Sequence, residues 1–284
     1  MLSLNTIHQG DCLELMKEIP DKSVDMILCD LPYGTTRNKW DSIIDLEKLW
    51  KQYERIIKDN GVIVLTAQTP FDKVLGASNL KLLKYEWIWE KSQGTGHLNA
   101  KKMPLKNHEN ILIFYKNLPT YNPQMVGFEK RKVKRSGLKS KTTNYGKFIE
   151  ISESDYVGRY PLSIQKFKKE NGLHPTQKPV ELGRYFIRTY TNKDDLVLDN
   201  TCGCGSFLLS AILEKRKFIG IELEEKYVKV AQQRIKEVAG CKAESDNGIP
   251  PTNKLVGILP KILWHPLNPL KWVVSTLKKK KRKW

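Results

Sequence analysis

The chain has 284 residues, 28% charged and 40% hydrophobic, with a formal net charge of +18. That length can bury a full core in one large or two smaller domains. No apolar run reaches the roughly 18 residues of a membrane-spanning helix, and the basic excess points to a polyanion, nucleic acid, as partner. The charge is uneven: from Lys116 to Arg184 there are fifteen basic and six acidic residues, and from Lys242 onward ten basic residues face only Glu244 and Asp246. The five cysteines, Cys12, Cys29, Cys202, Cys204 and Cys241, are odd in number and sparse, and no charged-then-apolar leader opens the chain. This reads as a reduced, cytoplasmic protein. Cys202 and Cys204 have no further ligands at tetrahedral zinc spacing, so no metal is expected.

In chain order, Leu4 to Gln9 predicts a short strand ending at Gly10-Asp11, followed by a helix to about Ile19 and a strand from Val24 to Cys29. An amphipathic helix near Asp45 to Lys58, a strand from Gly61 to Ala67 and a helix after Pro70 come next. Tyr85 to Glu90 and Asn110 to Lys116 read as strands, the first with Trp87 and Trp89 on one face. Periodicity is lost from Lys116 to Gly172, an insertion rich in Lys, Ser, Tyr, Gly and Asn. Regular order returns with a helix around Val180 to Thr191, a strand from Asp195 to Asp199 and a helix from Gly205 to Lys215. A strand from Phe218 to Ile221 and a helix from about Glu224 to Val238 complete the series. The expected fold class is α/β: a doubly wound, Rossmann-like sheet interrupted once.

Two segments leave the carboxyl ends of apolar runs, where an open α/β sheet forms its ligand crevice. One is Asp30-Leu31-Pro32-Tyr33-Gly34; the other is Asp199-Asn200-Thr201-Cys202-Gly203-Cys204-Gly205-Ser206. In the second, Gly203 and Gly205 allow close backbone approach, and a helix N-terminus behind them offers N–H groups. Glu222, at the end of the next strand, stands where a ribose hydroxyl pair would be held. Dinucleotide and adenosyl cofactors share that arrangement. The first segment suits chemistry at an exocyclic amine, whose lone pair is delocalised into its ring. Asp30 and the Leu31 carbonyl can accept the amine protons, Pro32 fixes the turn, and Tyr33 can stack on an extracted base.

On these residues the chain resembles the amino-group DNA methyltransferases that use S-adenosylmethionine, in the permuted beta group, over about residues 4 to 238. In that group the catalytic tetrapeptide precedes the cofactor loop and the target-recognition region lies between them. The resemblance implies a methyltransferase fold and assigns Asp30, Leu31, Pro32 and Tyr33 to catalysis. It implies that Asp199, Asn200, Thr201, Gly203, Gly205 and Ser206 hold S-adenosylmethionine, with Glu222 on the ribose and Asp11 on the adenine. His174-Pro175-Thr176-Gln177-Lys178-Pro179 is similar to the segment that closes over the methionine part, which adds Thr176, Gln177 and Lys178. The expected domains are 1–116, the catalytic half; 117–172, target recognition; 173–240, the cofactor half; and 241–284, a basic extension. Joining the helix that ends near Val238 to the strand that begins near Leu4 restores an uninterrupted series, so those two points should lie close together.

Leu31 stands where the family most often has proline, and Asn200, Thr201 and Cys204 depart from its common cofactor loop. The family associates an acid at the first tetrapeptide position with adenine N6, so Asp30 favours adenine; cytosine N4 is the alternative. Basic residues Lys130, Arg131, Lys132, Lys134, Arg135, Lys139 and Lys141, interleaved with polar ones, are the expected DNA contacts. The resemblance implies double-stranded DNA as partner, a cognate restriction nuclease as a candidate second one, a monomer or homodimer, and a bacterial or phage-type cytoplasmic setting. A catalytically weak DNA-binding protein with a vestigial pocket is the competing class. A nicotinamide oxidoreductase fits the glycine loop but leaves Asp30 to Tyr33 unexplained. The six basic residues from Lys278 to Lys283 have no assigned role.

Overall fold

The computed structural model describes residues 1–34, 42–133, 154–170, 172–173 and 177–246. Its strands in chain order are β1 (Thr6–Gln9), β2 (Val24–Asp30), β3 (Ile57–Ala67), β4 (Leu83–Thr95), β5 (Lys106–Phe114), β6 (Val126–Val133), β7 (Ser154–Arg159), β8 (Ile164–Phe167), β9 (Leu196–Asp199) and β10 (Lys217–Glu222). The helices are α1 (Cys12–Leu15), α2 (Leu46–Ile56), α3 (Phe71–Ser78), α4 (Val180–Tyr190), α5 (Ser206–Leu213) and α6 (Glu225–Asp246). Met1–Gln232 forms one compact unit and Gln233–Trp284 another. In the second unit residues 233–246 are helical, and 247–284 lie outside the described residues.

Met26 to Cys29 are all buried, an unbroken apolar run that marks a parallel strand covered on both faces. Strand β2 accordingly sits inside an eight-stranded sheet of order β1-β10-β9-β2-β3-β5-β4-β8. Only β5 runs against its neighbours, β3 and β4. Ile27 and Cys29 join the core formed with Met16 of the turn after α1, Leu49 and Tyr53 of α2, and Phe71 and Leu75 of α3. On the opposite face Trp87 meets Tyr185 and Phe186 of α4 edge-on, both at 5.8 Å, and its indole N–H donates to Tyr190 Oη at 2.7 Å. The Asp45 side chain caps α2 through the Lys48 N–H, and Leu49, Trp50, Tyr53 and Ile56 form its buried stripe.

The doubly wound reading holds, and β1 pairs in parallel with β10, as expected from joining the end of the chain's last helix to its first strand. The segment between Lys116 and Gly172 carries more regular structure than its composition suggests. Strands β6 and β7 form a separate antiparallel pair, and Ile164–Phe167 adds β8 to the main sheet beside β4.

The connections reverse direction between β9 and β2. From β9 the chain crosses through α5 to β10 on one side; from β2 it crosses through α2 to β3 on the other. A crevice opens at the carboxyl ends of two such strands because their following loops diverge.

Candidate active site

Both predicted loops emerge at that reversal and line one cavity of about 480 Å³. They are joined directly: the Thr201 hydroxyl donates to the Asp30 carbonyl at 3.0 Å. Asn200 is buried beneath them, its Oδ1 accepting from Tyr53 Oη at 2.6 Å and from Cys29 Sγ at 2.8 Å. Two of the three residues that depart from the family's common loop, Asn200 and Thr201, therefore hold that loop to the neighbouring strand and helix.

Parallel register sets Asp30 of β2 beside Thr66 of β3, and Thr66 in turn faces Ile111 of β5. The Asp30 carboxylate is divided between two sets of donors. On Oδ1 it accepts from Thr66 Oγ1 at 2.5 Å and Tyr33 Oη at 2.6 Å; on Oδ2 it accepts from Lys178 Nζ at 2.5 Å. Lys178 also faces Glu109 Oε2 at 3.4 Å, and Glu109 Oε1 accepts from Lys91 Nζ at 2.5 Å. The result is an alternating chain of charges, Asp30, Lys178, Glu109 and Lys91, along the cavity wall. Tyr33 stacks on Phe71 at 5.4 Å and has the Lys178 ammonium 5.4 Å above its ring.

Burial opposes the charge on Lys178, but Asp30 and Glu109 outweigh it and its pKa is raised. Burial likewise opposes ionisation of Glu109, and Lys178 and Lys91 overcome it, so that carboxyl is lowered. Tyr33 is pushed well up by burial and by the nearby carboxylates, which keeps its hydroxyl a donor.

Across the crevice, Glu222 accepts from the Gly203 N–H and the Glu224 N–H, each at 2.8 Å, one on each carboxylate oxygen. Burial raises its pKa despite these bonds. Asp199 is almost fully enclosed, and burial pushes it up to about 8 against the lowering effect of the Thr201 N–H. Asp11 also lines the cavity, where its Oδ1 caps α1 through the Leu13 N–H at 2.7 Å. Gly203 and Gly205 both have positive φ, +50° and +77°. Gly205 is set back from the cavity lining: a Cβ there would lie 3.0 Å from Ala231 Cβ, so it serves the packing of α5 against α6.

Leu31, Pro32, Asn200, Thr201 and Ser206 all line the cavity, as do Gln177 and Lys178. Lys178 reaches the Asp30 carboxylate rather than the glycine loop, while Gln177 Nε2 donates to Glu170 at 3.2 Å. Thr176 lies outside the described residues. Lys130, Arg131 and Lys132 fall on β6, whereas Lys134, Arg135, Lys139 and Lys141 lie outside the described residues. Sequence reasoning missed Lys91 and Glu109. The signal was available for Lys91, a lysine in phase with Trp87 and Trp89 on the buried face of β4. No group of three or more metal-ligating side chains occurs among the described residues.

A doubly wound parallel sheet with a carboxylate paired to a buried cation, an aromatic ring and a glycine turn at its strand ends places the chain in the Rossmann-like class. The N6/N4 DNA methylase family matches residues 24–233, and the chain belongs to it: it is a DNA methyltransferase of the amino-group type. It is 30% identical over 258 residues to the DNA adenine methyltransferase YhdJ of Escherichia coli (strain K12), covering 84% of this chain and 85% of that protein. Among solved structures, the cytosine-N4-specific PvuII DNA methyltransferase aligns with TM-score 0.60 at 18% identity, over 84% of this chain and 92% of that one. The complex of M1.HpyAVI with SAM aligns with TM-score 0.56 at 24% identity, over 81% and 98%. Both share the fold.

Proposed function

We propose that the chain transfers a methyl group from S-adenosylmethionine to N6 of an adenine extruded from duplex DNA. The observation that carries this is the Asp30 carboxylate, fixed at a strand end by Thr66 and Tyr33 on one oxygen and facing the cavity cation on the other. An exocyclic amine that docks on Asp30 Oδ2 meets a strong acceptor, which draws its lone pair out of conjugation as the new bond forms.

The residues fit the cofactor. Gly203, at positive φ on the cavity lining, leaves backbone room, Glu222 presents a buried carboxylate to a hydroxyl pair, and the cavity volume lies in the range of small-molecule sites. When bound, the cofactor supplies an activated methyl on a sulfonium, so no covalent enzyme intermediate is required. Asp30 orients the amine, stabilises the positive charge that develops on its nitrogen as the N–C bond forms, and accepts the proton that the methylated nitrogen sheds. Tyr33, backed by Phe71, offers a ring face to the base, and the buried wall of Trp89 and Lys91 excludes water.

Adenine is favoured over cytosine by the acid at position 30 and by the likeness to YhdJ, named as an adenine enzyme. The test is incubation with mixed-sequence duplex and S-adenosylmethionine, digestion to nucleosides and mass spectrometry. N6-methyladenine is expected; N4-methylcytosine overturns the base assignment, and no methylated nucleoside overturns the reading.

A further inference from the structure

Strands β4 and β5 continue past the level of the active site. Ile111 lies in the row of Asp30 and Thr66, yet β5 begins at Lys106, five residues earlier, which is roughly 17 Å at about 3.4 Å per residue. The connection between these strands therefore stands beyond the cavity wall that Lys91 and Glu109 form. Residues 97–108 are all exposed.

This connection is built on successive turns. Gly96, with φ +91°, starts a 3₁₀ turn at His97–Asn99, and the N–H groups of Asn99, Ala100, Lys102 and Met103 are bonded in sequence to Gly96, His97 and Asn99 carbonyls. Its backbone geometry thus presents Leu98 fully to solvent, with Met103 also largely exposed. A single exposed leucine is ordinary, but two apolar side chains on one ordered projection beside Lys101 and Lys102 form a mixed apolar and cationic tip. Strand β8 runs parallel to β4, so its carboxyl end brings exposed Lys168 and Lys169 to the same rim, and Lys169 lines the cavity mouth.

We infer that the β4–β5 projection is a duplex-DNA contact in which Lys101 and Lys102 hold phosphates and Leu98 is the wedge that enters the base stack beside the extruded nucleotide. The inference rests on the proposed DNA substrate. Apolar wedges flanked by basic residues are a general means of unstacking a base step, and a base presented to Asp30 leaves a gap in the duplex for such a side chain to fill.

Two measurements on the full chain test it. In fluorescence anisotropy with a labelled duplex, Lys101→Ala/Lys102→Ala is expected to reduce the slope of log affinity against log salt by about 1.8, two phosphates at about 0.9 each. Its melting temperature should be unchanged. This binding readout stands even if the protein methylates nothing, so loss of the proposed activity and loss of this inference are told apart. In methyl transfer, Leu98→Ala is expected to fall by about tenfold on a paired duplex and to recover on the same duplex mismatched at the target base, where extrusion is easy. An unchanged salt slope, or a Leu98→Ala effect that is absent or equal on both duplexes, overturns the inference.

Discussion

Lys178 Nζ lies 2.5 Å from Asp30 Oδ2, on the carboxylate oxygen that the incoming amine is proposed to use. The lysine has a second seat 3.4 Å away on Glu109, itself held by Lys91. Removing this buried cation by Lys178→Met leaves two carboxylates with one ammonium, and a loss of ~3 kcal/mol is expected near neutral pH. The sign of the pH dependence follows from the two shifts. The raised Lys178 pKa stabilises the fold below 10.5 and fails as pH climbs through the folded value; the lowered Glu109 pKa stabilises it above 4.5 and fails as pH drops through the folded value. Wild type keeps both charges at pH 5 and at pH 8. In Lys178→Met the burial of Glu109 is opposed by Lys91 alone, so its carboxyl takes up a proton more readily at pH 5, and the deficit by urea denaturation should be larger at pH 8. Equal deficits contradict the pairing.

Asp30 and Glu222 sit on opposite sides of the crevice and are expected to separate chemistry from cofactor binding. Asp30→Ala should abolish turnover while calorimetry shows nearly wild-type S-adenosylmethionine affinity. Glu222→Ala should weaken that affinity by about 10- to 100-fold, the ~1.5–3 kcal/mol of a hydrogen bond to a charged group. If both variants lose cofactor equally, the division of roles is wrong.

Asp199 carries a raised pKa of about 8 because it is buried. Between the ordinary value of 3.8 and about 8 the folded state holds a proton that the unfolded chain has released, so stability falls as pH rises through that window. Asp199→Asn removes this dependence. Scanning calorimetry without ligand should show the variant gaining on the wild type from pH 5 to pH 9. A constant difference argues that the carboxyl titrates normally.

The Thr201 hydroxyl couples the cofactor loop to the carbonyl of Asp30. Thr201→Val keeps the shape and deletes one hydrogen bond, a cost of about 1 kcal/mol in stability. Because the bond ties both loops, kcat and cofactor affinity should fall together, unlike the split expected for Asp30→Ala. Steady-state kinetics with calorimetry distinguishes the two patterns.

The central strands were legible because burial on both faces leaves continuous apolar runs, as in Met26 to Cys29. The edge strand Ile164–Phe167 was not, since Ile-Gln-Lys-Phe alternates between exposed and half-buried and resembles its basic surroundings. The charge chain on the cavity wall was only half visible. Asp30 stands in a recognisable turn, whereas Glu109 becomes a site residue through antiparallel register with Trp89, a relationship between strands that no local pattern encodes. Asn200 departs from the family's common loop, and its hydrogen bonds to Tyr53 and Cys29 give it a structural reason.

The pairing of β2 with β9, Met26 beside Val197 and Ile27 beside Leu198, has a consequence for biosynthesis. The ribosome completes β2 early, and β3 can cover one of its edges soon afterwards. The other edge waits for a strand made some 170 residues later, about 10–35 s at ordinary elongation rates. Throughout that interval the nascent chain displays an apolar, unpaired strand carrying Asp30. Chaperone capture during synthesis is therefore expected to fall on the segment that carries Asp30.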